Sequence, residues 1–288
     1  MENISITDMR TVPGDSAFLL DDGSTAILYD TGFGFTGHAL AEKVKAALGS
    51  RPLDYIFLTH SHYDHALGSA YVAKVFPNVQ VVAAEYAREV FQRPSARSVM
   101  RALDRRVAAL YGTGEYEDLS DLLKVDIAVK DADSLTCGSM RFTVIGLPGH
   151  TKCSIGFYLA ENKLLLGTET LGVRFGTDTY LPSCLVGYQL TLDAYRKVGG
   201  LEIDRMLLPH CGIVEAQEAA AYLEKSEQVT RDTAQIIKSQ LLDGRSPAQI
   251  ANYLEKILYK AHVAPVYPVD AFRLNTQLMI KLIQNECL

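Results

Sequence analysis

His60, His62, Asp64 and His65 crowd into the run Thr59-His-Ser-His-Tyr-Asp-His-Ala-Leu-Gly-Ser69, an H-x-H-x-D-H pattern that begins where the apolar stretch Tyr55-Ile-Phe-Leu58 ends. Alternate side chains of an extended segment project the same way, so His60 and His62 can reach one metal ion. The turn that follows can deliver Asp64 and His65 to a second. Imidazole and carboxylate without thiolate suit zinc, iron or manganese better than a closed structural cysteine site would. A lone histidine at a strand end is an ordinary hydrogen-bonded residue. Three imidazoles and a carboxylate packed together are costly unless a cation binds them. The pattern predicts a metal-dependent hydrolase.

Two further histidines lie in loops after strands, His150 in Leu147-Pro-Gly-His-Thr151 and His210 in Leu207-Leu-Pro-His-Cys-Gly212. Five of the seven histidines thus sit at strand ends or in the turn just after one, which a random scatter would rarely produce. His38 and His262 lie in helical context and are expected to be bystanders. Asp30, in Leu28-Tyr-Asp-Thr-Gly32, ends another strand beside a glycine turn.

The elements that must position these residues alternate between strand and helix, which indicates a layered α/β domain. Ser16–Asp21 and Thr25–Tyr29 read as a hairpin turned at Asp22-Gly23. An amphipathic helix from Gly37 to Leu48 is closed by Gly49. Strand Tyr55–Thr59, the histidine run, a helix over Ala70–Phe76 and strand Val79–Ala83 follow. A helical insert over about 84–123 breaks the rhythm. Within it Arg93, Arg97, Arg101 and Arg105 recur every fourth position, forming one cationic stripe. The stripe is either a solvated face or a guide for an anionic substrate.

Strands resume at Ser134–Cys137, Arg141–Leu147, Ser154–Leu159 and Lys163–Gly167. A helix near Leu190–Val198 and a strand near Met206–Leu208 complete the pattern. From Glu215 onward the reading is helical, over Glu215–Leu242, Pro247–Leu258 and Val269–Asn285. Ser246-Pro247 marks a helix start.

Composition narrows the function classes. The 34 acidic against 28 basic residues, net -6, argue against general nucleic-acid binding, which needs a basic footprint. No apolar run approaches a membrane span, and the first residues lack the basic and apolar regions of a secretory signal, so cytoplasm is the expected location. The five cysteines are scattered without a C-x-x-C pair, and no disulfide framework is expected. Cys153 and Cys211 lie near histidines but read as small buried residues rather than nucleophiles.

Asp30, His60-x-His62-x-Asp64-His65, His150, a carboxylate near 169 and His210 occur in the order of the metallo-β-lactamase superfamily motifs, and residues from about 16 to 214 resemble that family. The resemblance implies an αββα four-layer sandwich over 1–214, with the helical insert, and a helical cap over 215–288. It also implies two divalent metal ions, zinc first and iron or manganese next. His60, His62 and His150 would hold one, and Asp64, His65 and His210 the other. Asp64 would serve the reaction as well as binding metal, and Asp30 would orient a ligand. Leu164-Leu-Leu-Gly-Thr-Glu-Thr-Leu-Gly172, the His210 motif and the helical tail are more loosely similar to the quinolone-signal thioesterase branch, in which homodimers are common.

One departure stands out. The family has Gly-Asp where this chain reads Gly167-Thr168-Glu169, and that aspartate bridges the metals. Glu169 is expected to supply the carboxylate, as a bridge or to one metal only. The alternative is that it merely supports a neighbouring ligand and the second site is weak. The expected reaction is hydrolysis of a small ester-like substrate by a metal-bound hydroxide, a thioester or lactone first and a phosphoester next. Tyr180 and Tyr188 are candidate substrate contacts, or else packing aromatics. Two other classes stay open, a di-iron protein that handles dioxygen and a regulatory binding protein that acts through its helical tail.

Overall fold

A computed structural model describes residues 4–288, which fall into two compact units, residues up to 146 with 155–166, and 147–154 with 167–288. This division differs from the expected boundary at residue 214. The His150 loop and everything from Gly167 onward group with the C-terminal helices.

In the first unit, β1 (Ser5–Asp8), β2 (Phe18–Asp21), β3 (Ala26–Tyr29), β4 (Tyr55–Phe57), β5 (Gln80–Ala84) and β6 (Ile127–Val129) form one sheet in sequence order. Pairing is antiparallel from β1 to β3 and parallel from β3 to β6. Every residue of β3 is buried, as a strand covered on both faces requires. A second run of strands, β7 (Ser134–Cys137), β8 (Met140–Gly146), β9 (Ile155–Leu159) and β10 (Leu164–Leu166), pairs antiparallel. The two runs meet through aromatic rings: Phe57 stacks on Phe157 at 4.3 Å and meets Phe142 edge-on at 5.3 Å. The layered α/β class expected from the sequence is present.

Helices α1 (Gly37–Leu48), α2 (Tyr63–Ala66), α3 (Gly68–Val75), α4 (Glu85–Gln92) and α5 (Pro94–Leu110) complete this unit. Gly49 ends α1 with φ +64°, its N–H donating to the Lys45 carbonyl. At Gly68 a Cβ would fall 1.9 Å from the Thr31 carbonyl oxygen, so only glycine allows α3 to start against that loop.

The insert is helical in α4 and α5 and then irregular, apart from a short turn at Ser120–Leu122. Much of the arginine stripe serves to hold that irregular stretch. Arg97 and Arg101 bridge to Asp121 at 3.0 and 3.3 Å, and Arg101 reaches Asp118 at 3.4 Å. Arg93 pairs with Glu89 at 3.1 Å, so the solvated-face reading fits these three. Buried Asp104, about two turns from Arg97 along the same side of α5, accepts the N–H groups of Gly34 at 2.9 Å and Phe35 at 3.0 Å, and the Tyr116 hydroxyl.

The second unit holds the hairpin β11 (Val173–Phe175) and β12 (Thr179–Leu181), helix α6 (Tyr188–Gly199), and the hairpin β13 (Arg205–Leu208) and β14 (Gly212–Glu215). Helices α7 (Ala216–Leu242), α8 (Pro247–Leu258) and α9 (Val269–Cys287) follow. Cys184, Ile237, Ile250, Leu254, Met279, Ile280 and Ile283 form their shared core. Ser246 caps α8 reciprocally with Gln249, and Pro247 takes the first helical position, as the sequence predicts. Among the described residues no helix is long and apolar enough to cross a membrane.

Burial pushes the Asp104 carboxyl up to about 6, against hydrogen bonds from Tyr116, Gly34 and Phe35 that act to lower it. Above that pH the folded protein bears the desolvation of a buried carboxylate. As pH falls from 6 toward 4 the folded state takes up a proton that the unfolded chain does not, so the contribution of this group to stability rises. The melting temperature of the wild type relative to Asp104→Asn should therefore increase from about pH 7.5 to about pH 4.5, on either side of that midpoint. A difference that stays flat across the range would show that Asp104 does not titrate there.

Candidate metal centre

In the first unit the donors are built on the ends of β3 and β4. Asp30, one residue beyond β3, is fully buried with φ +56°, and its N–H donates to the Phe57 carbonyl at 2.8 Å. Its carboxylate accepts from Ser16 Oγ at 3.0 Å, from Thr59 N at 2.9 Å and from Thr59 Oγ1 at 3.1 Å. It also accepts from His65 Nδ1 at 2.7 Å. A proton on Nδ1 leaves the lone pair of His65 on Nε2, the ring atom that faces Asp64 Oδ2 at 3.7 Å.

Thr59 does the same for His60 by a relay. Its hydroxyl proton goes to Asp30, so the oxygen can only accept from His60 Nδ1, 2.8 Å away. The lone pair of His60 is again on Nε2. His62 is the extended residue that precedes α2, and the helical turn then swings Asp64 and His65 round, with Ala66 N–H donating to the His62 carbonyl at 3.0 Å. Thr31 holds the far end of this turn, through N and Oγ1, both 2.8 Å from the His65 carbonyl. The ring of His60 lies 4.6 Å from that of His62 and 4.1 Å from that of His65.

The second unit brings His150, Glu169 and His210 together. His150 N–H donates to Thr170 Oγ1 at 3.2 Å, and Nδ1 meets Ser183 Oγ at 2.7 Å and the Ser183 carbonyl at 3.2 Å. His210, in the turn between β13 and β14, has φ +61°. Glu169 lies between the two imidazoles: Oε2 is 2.8 Å from His150 Nε2, and Oε1 is 3.4 Å from His210 Nε2. Each carboxylate oxygen faces a different ring.

Both donor sets combine imidazole Nε2 atoms with carboxylate oxygens, and they fit divalent cations. Thiolate plays no part. Burial raises the Cys211 thiol above its ordinary value, and its sulfur accepts the Arg174 N–H at 3.2 Å. Tyr180 is buried against the Tyr222 ring, with the Lys225 ammonium 5.2 Å from its own ring centroid. Tyr188 packs on the core shared by α7, α8 and α9. Both have the surroundings of packing residues. Sequence reasoning overlooked Ser16, Thr31, Thr59, Thr170 and Ser183, the hydroxyls that orient or clamp the donors. Thr59 could have been flagged as the neighbour of His60, whereas Ser183, remote in sequence from His150, gave no signal.

A model of the metallo-beta-lactamase superfamily matches residues 10–210. The chain belongs to that superfamily. Its fold is the metallo-beta-lactamase fold, mixed α/β with two sheets and helices, followed by a helical C-terminal region. A hydroxyacylglutathione hydrolase of Brucella anthropi is 28% identical over 133 residues, which is 46% of this chain and 39% of that protein. The match thus spans less than half of that relative's length.

A metallo-beta-lactamase family protein of Thermus thermophilus superposes with a TM-score of 0.61 at 18% identity, covering 97% of this chain and 90% of the other. A flavodiiron protein of Giardia intestinalis does so with a TM-score of 0.55 at 16% identity, over 79% of this chain and 58% of the other. Likenesses at such identity show the metallo-beta-lactamase fold alone.

If Asp30 sets the tautomer of His65, Asp30→Asn should weaken divalent-metal affinity by roughly 10- to 100-fold, the usual cost of losing such an orienting partner. Competition against a chromogenic chelator reads this directly. Unaltered affinity would reduce Asp30 to a structural role.

Proposed function

We propose that this superfamily member is a metal-dependent hydrolase of a small ester-like substrate, a thioester or lactone. In this reading His60, His62, His150 and Glu169 serve one ion, and Asp64, His65 and His210 the other, with Glu169 shared between them. The observation that carries the reading is Glu169, whose two oxygens address two different histidines. It is supported by donors already turned to Nε2 through Asp30, Thr59 and Ser183, and by a relative named for hydrolysing hydroxyacylglutathione, an acyl thioester. The flavodiiron likeness is one of fold alone and carries no second reading.

When bound, a pair of divalent ions supplies a water acidified from 15.7 toward about 7 and a Lewis-acid contact for the attacked carbonyl oxygen. The residues of the chain do the rest. Asp30 holds His65 in one tautomer throughout the cycle, so that no ligand has to reorganise as charge develops. Asp64, with a partly exposed carboxylate, accepts the proton lost by the attacking water and returns it to the leaving sulfur or oxygen as the bond to the acyl carbon breaks. Glu169 turns one carboxylate oxygen toward His150 and the other toward His210.

Elemental analysis of metal-replete protein should find about two ions per chain, falling toward about one in Glu169→Ala. About one ion in both proteins would remove Glu169 as a ligand. Against a panel of thioester, lactone and phosphodiester substrates, turnover should favour the first two and be abolished in His62→Ala together with metal binding. A clear preference for the phosphodiester, or activity retained without His62, would overturn the proposal.

A further inference from the structure

We infer that a row of aromatic rings beside the donor loop is the binding face for a flat, apolar acyl group. This deepens the proposed hydrolase reading and rests on it. Tyr63 lies between the donors His62 and Asp64, and its ring is 5.9 Å from that of Phe33. Phe33 is 5.2 Å from Phe35, and Phe35 stacks on Tyr111 at 5.7 Å with the planes 28° apart. The row runs outward from the donor loop to the end of α5. Its root is buried and its tip open, with Phe33 4% and Tyr111 38% exposed and the rings of Phe35 and Tyr63 half-buried.

These rings are held in place. Asp104 fixes the backbone of Gly34 and Phe35, and the Tyr111 hydroxyl donates to the Pro13 carbonyl at 2.5 Å. Phe33 belongs to the buried core of this unit, whereas Phe35, Tyr63 and Tyr111 keep part of their surface open beside the donor loop. Pre-positioned, partly exposed aromatic faces next to a polar donor loop are what an apolar ligand site offers. Among the described residues the cation–ring contacts fall on Phe18, Tyr86, Tyr180 and Tyr222, so these four rings offer a flat group their apolar surface.

The test uses the zinc-loaded full chain and two carboxylates, 2-naphthoate and acetate, which share a metal-binding head and differ in the flat apolar group. The chain contains no tryptophan, so naphthoate fluorescence reads binding cleanly. Naphthoate should bind at least about tenfold more tightly than acetate, the scale of one well-placed aromatic face. Phe35→Ala and Tyr111→Ala should each reduce that preference. Should either variant fail to fold by circular dichroism, Phe35→Leu and Tyr111→Leu keep much of the volume while losing the ring face. Equal binding of the two carboxylates by the wild type, or a preference that survives both ring substitutions, overturns the inference. Failure of the hydrolase reading looks different: no ester in the panel is turned over, yet the naphthoate preference and its loss in the variants remain.

Discussion

The buried carboxylate of Asp30 is the constraint on which the first donor set depends. It receives a serine hydroxyl, a threonine hydroxyl, a backbone N–H and an imidazole N–H, so its desolvation is offset on every side. Through those four bonds it fixes β2, β3 and β4 at one point and sets the tautomers of His60 and His65. Its left-handed backbone, φ +56°, costs of order 1–3 kcal/mol in a non-glycine residue and survives because the hydrogen bonds over-determine it. Strain here is the means by which a strand end turns its carboxylate inward.

His210 repeats the device in the second unit. It also has a positive φ, at +61°, in a turn where Cys211 N–H donates to the Pro209 carbonyl at 2.6 Å and Leu208 pairs with Gly212. Among the described residues four non-glycine positions have positive φ, Asp30, Ala132, Lys163 and His210, and two of these are residues that the sequence marks as chemical. Ligand placement, rather than folding economy, accounts for both.

The histidines were legible because their spacing is chemical and local. The i, i+2 relation of His60 and His62 survives as extended backbone, and the sequence places Asp64 and His65 in the turn that follows, where α2 forms. The long helices were legible from caps and periodicity. Less visible were β1, β6, β11, β12 and β14, strands of three or four residues too short to show an alternating pattern. Hidden too were Ser16 and Ser183, whose roles depend on partners 14 and 33 residues away. A hydroxyl in a loop has no signature until the fold brings an imidazole to it.

The displaced carboxylate has a physical reason of its own. Thr168 is extended, with φ -136° and ψ 166°, so it and Glu169 project to opposite faces of the chain. Thr168 is fully buried, and its hydroxyl has no hydrogen-bond partner among the described residues. A Cβ on the adjacent Gly167 would meet the side chains of Leu208 at 2.6 Å and Leu171 at 3.2 Å. Position 168 thus carries a neutral hydroxyl in this chain rather than a charge, which when buried would need a partner. One residue on, the chain enters the turn Glu169–Leu171, and a side chain one methylene longer reaches both imidazoles. The carboxylate that faces these imidazoles therefore comes from position 169, while position 168 is a buried hydroxyl.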